Sequence, residues 1–148
     1  MAVLPTGIGP VTGYNIERSL RFNSADSAYL NRTFGTPTNN LKWTWSGWVK
    51  KGTGGCVFGH FNTSGVNQQH LIYLNDSDIT FHLYNSAYLG RKITTQVNRD
   101  PSAWFHLLVV WDTANATASD RMQLWKNGVR ITAFSTSSDP SLNQTGYI

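Results

Sequence analysis

Carboxylates are the side chains with which a search for chemistry begins, because most glycoside hydrolases place two of them across the scissile bond. The 148-residue chain contains eight acidic side chains, and Glu17 is its only glutamate. The aspartates fall mostly in predicted turns: Asp112 ends a predicted strand, and Asp76 and Asp78 share one turn. No two acids alternate along a predicted central strand, so we expect a protein that is not an enzyme.

The histidines and glycines form no other catalytic pattern. No pair of histidines has HExxH spacing, no serine lies in a G-x-S-x-G elbow, and Gly7 and Gly9 precede no predicted helix. The turn that contains Asn75, Asp76 and Asp78 offers oxygen ligands of the kind that calcium prefers. Because Asn and Asp populate turns readily without a metal, we predict no cofactor and keep calcium at this turn as the alternative.

Aromatic side chains on polar strand faces are candidates for sugar binding. A sugar stacks its CH face on such a ring while polar neighbours bind its hydroxyls. Most of the aromatic residues must form the core, and four tryptophans fit that role best: Trp43, Trp45, Trp104 and Trp111. The residues that we expect in a shared sugar-binding groove are Trp48, His82, Tyr84, Gln123 and Trp125. The alternative is that this face packs on a neighbouring subunit.

Short strands must position these side chains. In the segment 42–51 alternation turns the odd-numbered tryptophans toward the core and Trp48 away from it. The segment 103–112 is apolar on both faces, which is typical of a central strand covered on both sides. Asn127 and Gly128 predict a type I′ hairpin turn. The other predicted strands are 19–23, 29–32, 56–61, 70–75, 78–85, 92–97, 121–126 and 129–134, with none after Phe134. Roughly ten short strands without a helix predict an all-β sandwich.

Composition and charge exclude several kinds of partner. No apolar run approaches the roughly 18 residues of a membrane-spanning helix, and the N-terminus lacks the basic and apolar regions of a signal peptide. The net charge of +4 comes from scattered Lys and Arg, whereas nucleic-acid-binding proteins cluster them on one face. Cys56 is the only cysteine, and we expect it to be a buried, inert thiol. We predict neither nucleic-acid binding nor membrane insertion.

The first seventeen residues differ in composition from the rest. Residues 1–17 contain Pro5, Pro10 and three glycines, so they predict an extended N-terminal arm that docks on other proteins. Residues 18–148 then form the predicted sandwich domain.

Several segments of that domain carry a family resemblance. Residues 104–113 (WFHLLVVWDT) and 121–130 (RMQLWKNGVR) resemble the W-x-H…W-D…N-G signature of laminin G-like and pentraxin-like domains of the concanavalin A-like group. Residues 19–23 (SLRFN) and 42–50 (KWTWSGWVK) are similar to the opening strands of that fold. The chain most resembles the version found in structural proteins of tailed marine phages, over residues 19–134. The resemblance implies an antiparallel jelly-roll β-sandwich.

The chain departs from the family at its C-terminal end. In the family further strands follow the Asn-Gly hairpin, whereas this chain stops at Ile148. We therefore expect a C-terminal edge that lacks a strand, which a longer parent chain or a neighbouring molecule would supply. Because an exposed edge invites pairing with another chain, we expect a homo-oligomer, for example a trimer.

The resemblance also implies a function and a location. It favours a non-catalytic virion surface protein, from a tail fibre or a head fibre, that is assembled in the host cytoplasm and binds glycans on the host surface. The arm 1–17 would contact other virion proteins. The alternative is a capsid-decorating or connector subunit without a ligand. A glycoside hydrolase, an activity also present in the family, ranks third because the carboxylate pair is missing.

Overall fold

The computed structural model describes residues 24–27, 29–30, 35–52, 54–62, 67–75 and 78–148. The chain divides into two compact units, Met1–Gly35 and Thr36–Ile148. In the first unit the described element is a single 3₁₀ turn, Ser24–Asp26. The predicted arm 1–17 and the predicted strand 19–23 lie outside the described residues. Tyr29 and Leu30, which were predicted to begin a strand, are not part of one.

The second unit is a sandwich of two antiparallel sheets, which confirms the predicted all-β class. The strands of the four-stranded sheet, in spatial order, are β1 (Lys42–Lys50), β6 (Trp104–Asp112), β7 (Met122–Lys126) and β8 (Val129–Arg130). Those of the five-stranded sheet are β2 (Gly55–Asn62), β3 (Gln68–Leu74), β4 (Ile79–Asn85), β5 (Tyr88–Thr94) and β9 (Phe134–Ser138). A 3₁₀ turn, Ala118–Asp120, precedes β7. Across the residues that the structure describes, no helix is long and apolar enough to span a bilayer.

Period-two alternation fills the space between the sheets. The fully buried side chains of β6 and β4 are Leu107, Val109, Trp111, Ile79, Phe81 and Leu83. Trp43 and Trp45 of β1 pack against this cluster, as the alternation predicts. Each such burial contributes roughly 1.5–3 kcal/mol, so one register is strongly preferred over a slip that would turn these side chains to solvent.

The hairpin between β7 and β8 has the predicted turn chemistry. Asn127 and Gly128 have φ values of 49° and 78°, and Lys126 pairs with Val129. Two consecutive positive φ angles define the type I′ geometry, which matches the right-handed twist of the flanking strands.

The outer face of β6 differs from what the sequence predicts. Trp104 was predicted to lie in the core, but its side chain is 61% exposed. β6 is central within its sheet, and Leu108 and Val110 on the same face are half-buried between β1 and β7. No layer of the described chain covers this face. The apolar run on both faces of β6 therefore predicted correctly that the strand lies inside its sheet, but not that only one face of the sheet is covered.

Several further predictions about strands and burial are wrong. Strand β5 is Tyr88–Thr94 rather than 92–97, because its pairing with β4 begins at Tyr88 and residues 95–97 belong to no strand. The strand predicted at 129–134 ends at Arg130. Strand β9, Phe134–Ser138, lies beyond the predicted strands except for Phe134, and it pairs with β5 through backbone hydrogen bonds. Cys56 is exposed on β2 rather than buried.

The segment after β9 crosses one end of the sandwich. The Asn143 amide donates to the Thr113 carbonyl at 2.8 Å, and the Thr113 hydroxyl donates to the Gln144 carbonyl at 2.8 Å. The Gly146 amide then donates to the Asn40 carbonyl at 3.0 Å. A Cβ at Gly146 would lie 2.9 Å from the His70 ring, so a glycine permits this close approach.

Candidate functional site

A cleft of about 340 Å³ lies on the outer face of the five-stranded sheet. On β3 and β4 the residues between the buried core positions point to this face. The floor and walls include Gln69, Leu71, Tyr73, Thr80, His82 and Arg91. Since adjacent hydrogen-bonded strands supply these residues, the sheet fixes their relative positions.

Two exposed aromatic rings flank the cleft. Phe61 on β2 is 59% exposed, and Tyr88 on β5 is 47% exposed. Phe61 pairs with Gln69, Gln69 with Tyr84, and Tyr84 with Tyr88, so one row of the sheet contains both rings. Three strand spacings separate their backbones by about 14 Å. This row therefore presents an aromatic surface at each side of a polar floor.

Tyr88 is held by its neighbours. Its ring meets His82 edge-on with centroids 5.5 Å apart, and it meets Tyr84 edge-on at 5.0 Å. The Arg91 guanidinium carbon lies 4.3 Å from the ring centroid. Contacts of these kinds contribute about 0.5–1.5 kcal/mol each, so the exposed ring is pre-oriented.

His82 has a hydrogen-bonding atom without a partner. The side chain is only 9% exposed; its Nε2 lies 3.2 Å from Gln69 Oε1, and its Nδ1 is buried without a partner. Burial lowers the pKa of His82 below its ordinary value, and the positive charge of Arg91 lowers that pKa further. The ring is therefore neutral at pH 7. With Nε2–H donating to Gln69, Nδ1 can accept a hydrogen bond.

Arg91 lies directly opposite His82 on the neighbouring strand. Its Nε is buried and has no hydrogen-bond partner, and within the described chain the guanidinium forms no ion pair. A buried unsatisfied donor costs about 1–3 kcal/mol. Two cross-strand neighbours that line the cleft therefore carry a donor and an acceptor that are buried and have no partner in the described chain.

The turn proposed for calcium closes one end of the cleft. Asn75 Nδ2 donates to Asp78 Oδ1 at 2.6 Å and lies 2.8 Å from Thr80 Oγ1, which in turn donates to Asp78 Oδ1 at 3.2 Å. This carboxylate oxygen already accepts two hydrogen bonds from neighbouring side chains. Asp76 lies outside the described residues. The described part of the chain contains no cluster of three His, Cys, Asp or Glu side chains able to hold a metal ion.

The structure does not bring the five predicted sugar-binding residues together. His82 lines the cleft on the five-stranded sheet, and Tyr84 contacts it through Tyr88. Trp48 on β1 and Trp125 on β7 belong to the four-stranded sheet. Both groups alternate with core positions, so they lie on opposite outer faces of the sandwich. The prediction of one shared groove was wrong. Alternation along a strand shows on which face of a sheet a residue lies, but not to which of the two sheets the strand belongs.

The remaining three predicted residues lie on the outer face of the four-stranded sheet. Trp48 is 67% exposed and meets His106 edge-on at 5.5 Å. Trp125 Nε1 donates to Gln123 Oε1 at 3.1 Å, so these two side chains satisfy each other. Together with the exposed Trp104, they form an open aromatic face.

Sequence reasoning missed most of the cleft. Gln69 was assigned to a loop, and Arg91 lay outside the strand predicted at 92–97, so neither was assigned a face. The one available signal was the alternation of Gln69, Leu71 and Tyr73 along β3. The pairing of β5 with β4, which brings Arg91 to His82, is a tertiary property that alternation does not encode.

Comparison with protein-family models, with curated proteins and with solved structures returned no match for this chain. None of the described residues that line the cleft carries a carboxylate. The lining offers stacking surfaces, hydrogen-bonding groups and one cation, which suit binding better than acid–base hydrolysis of a glycoside.

Proposed function

We propose that this protein is a non-catalytic glycan-binding module that binds its ligand in the cleft of the five-stranded sheet. The observation that carries the proposal is a pair of buried hydrogen-bonding atoms without a partner, His82 Nδ1 and Arg91 Nε, on two residues that line a cleft flanked by exposed aromatic rings. A sugar combines apolar CH faces with hydroxyl groups, so it can use both kinds of surface at once.

The chemistry of the cleft suits an extended glycan. The rings of Phe61 and Tyr88 would stack on sugar CH faces at the two sides, and the His82 Nδ1 lone pair would accept a hydroxyl proton between them. A hydroxyl there would satisfy a buried atom that otherwise lacks a partner, which is why burial of His82 favours a polar ligand over an apolar one.

The location that we propose is the virion surface, on a tail fibre or head fibre, where the module would attach to host glycans. The support is the resemblance of residues 19–134 to laminin G-like domains of tailed-phage structural proteins, with their jelly-roll sandwich. Residues 1–17 would then provide contacts to other virion proteins.

A glycan array tests the binding. We expect wild-type protein to bind at least one class of host-surface glycan and Tyr88→Ala to lose that binding by roughly tenfold or more, since a stacking ring in a binding site is worth about 1–3 kcal/mol. The matched control is Trp48→Ala, which removes an exposed aromatic ring from the opposite face and should leave binding unchanged. If loss follows Trp48→Ala instead, the cleft is not the site.

The second candidate is a capsid-decorating or connector subunit without a ligand. It is favoured by the aromatic face of the four-stranded sheet, where Trp48 and Trp104 are 67% and 61% exposed. Large exposed apolar patches often mark protein contacts. Electron cryo-microscopy of the native particle separates the two: a cleft open to solvent supports attachment, whereas a cleft buried against a neighbouring subunit supports decoration.

A further inference from the structure

Two cavities of similar volume differ in the arrangement of their charges. One cavity, also of about 340 Å³, contains Lys92 and Arg130. Lys92 pairs with Asp139 at 2.8 Å, and Arg130 pairs with Asp120 at 2.5 Å. Each of these two cations is therefore paired with a carboxylate of the protein. The cavity has no unpaired positive charge that would attract an anion.

In the glycan cleft, by contrast, the cation has no counter-ion. Arg91 is the one charged residue among the described residues of the lining, and within the described chain it forms no ion pair. Its charge is felt at His82, whose pKa it lowers in addition to the effect of burial. A ligand that enters this cleft therefore meets a local positive potential, which favours a negatively charged group.

The geometry of Arg91 defines the shape of that group. The Arg91 guanidinium carbon lies over the Tyr88 ring, 4.3 Å from its centroid. This contact fixes the position of the guanidinium, whose Nε is buried and has no hydrogen-bond partner in the described chain. Nε and a terminal nitrogen form the fork that binds a carboxylate through two parallel hydrogen bonds.

His82 adds a second requirement. It pairs with Arg91 across β4 and β5, and directly opposed residues have Cβ atoms about 4.5–5.5 Å apart. Its neutral Nδ1 accepts a hydrogen bond but cannot donate one while Nε2–H is bound to Gln69. The pair therefore matches a ligand with a carboxylate close to a hydroxyl.

We infer that the cleft selects acidic sugars, of the uronic-acid or sialic-acid type, by pairing their carboxylate with Arg91 while His82 accepts a neighbouring hydroxyl. This inference rests on the proposed glycan binding and narrows it to one chemical class. Neutral sugars would bind more weakly, because they leave Arg91 Nε without an anionic partner.

Isothermal titration with matched probes tests the inference. The probes are trigalacturonate, a hyaluronan tetrasaccharide and 3′-sialyllactose, each measured beside its carboxyl methyl ester, which keeps the sugar and removes the charge. We expect at least one acid to bind roughly 10- to 100-fold more tightly than its ester, the range for charge-assisted hydrogen bonds. Arg91→Gln should abolish this difference, and Arg99→Gln, which removes the same charge from an exposed loop, should keep it.

The outcomes separate this inference from the function on which it rests. Equal binding of acid and ester, lost in Tyr88→Ala, would overturn the acidic preference and leave glycan binding intact. A preference for the acid that survives Arg91→Gln, or that Arg99→Gln also removes, would assign it to the overall charge of +4 rather than to the cleft. Absence of binding to every acid and every ester would overturn both proposals.

Discussion

Two histidines on neighbouring strands are both neutral because of burial, but they have different surroundings. The His70 ring stacks on Phe81 with centroids 5.6 Å apart and meets Trp111 edge-on at 4.5 Å, so it belongs to the core. Its Nδ1 accepts a 3.3 Å hydrogen bond from the Tyr147 amide. His82 faces the cleft instead. Alternation along a strand is enough to predict the face of each ring, but not which nitrogen lacks a partner.

The buried His70 predicts that stability depends on pH. Burial, together with the nearby His82 and His60, lowers the pKa of His70 from 6.5 to about 3. Between those pH values the unfolded chain binds a proton that the folded chain excludes. The free energy of unfolding should therefore fall as the pH decreases from 6.5, by up to about 1.4 kcal/mol per pH unit from this group.

Urea unfolding of wild type and His70→Leu at pH 7 and pH 5 measures this contribution. We expect the variant to be less stable at pH 7, because the Tyr147 amide loses its acceptor. Its free energy of unfolding should nevertheless change less between pH 7 and pH 5 than that of wild type. Equal changes in the two proteins would show that His70 is not the group responsible.

Among the strands, the sequence patterns predicted best where burial is one-sided. Strand β1 alternates over its whole length, and its bounds were predicted to within one residue. Strand β9 is rich in Ser and Thr, and the buried positions of β5 are Gly90, Lys92 and Thr94 rather than apolar residues, so neither segment carries the same signal. Their pairing depends on backbone hydrogen bonds to a neighbour that the sequence does not identify. For the same reason the sequence does not predict the cleft, which β5 helps to form.

The β7–β8 hairpin should depend on its glycine. Gly128 has φ 78°, and a Cβ there would meet no atom within 4 Å, so the cost of Gly128→Ala is conformational rather than steric. We expect a loss of roughly 1–2 kcal/mol in the free energy of unfolding. Gly52→Ala is the control, since its Cβ is equally unobstructed and its φ is not positive. Similar losses in both variants would show that the positive φ is not the cause.

The sandwich as a whole presents two outer faces of different character. The five-stranded sheet carries a cleft lined by residues with unpartnered hydrogen-bonding atoms, which suits a polar ligand. The four-stranded sheet exposes Trp48 and Trp104 beside the half-buried Leu108 and Val110. Water contacts apolar surface unfavourably, so this second face is the one that would gain from being covered. The division would allow one molecule to bind the proposed glycan while it contacts a neighbour.

A second copy of this chain is the partner that we expect on the four-stranded sheet, because two identical aromatic faces can pack symmetrically. Sedimentation velocity at increasing protein concentration should show wild type associating, and more strongly in ammonium sulfate, which strengthens apolar contacts. The double variant Trp48→Ser with Trp104→Ser should remain monomeric. Phe61→Ser, which removes a 59% exposed ring from the opposite face, should still associate. If Phe61→Ser dissociates the protein and the double variant does not, the glycan cleft and the assembly surface are the same face, and attachment and assembly would compete.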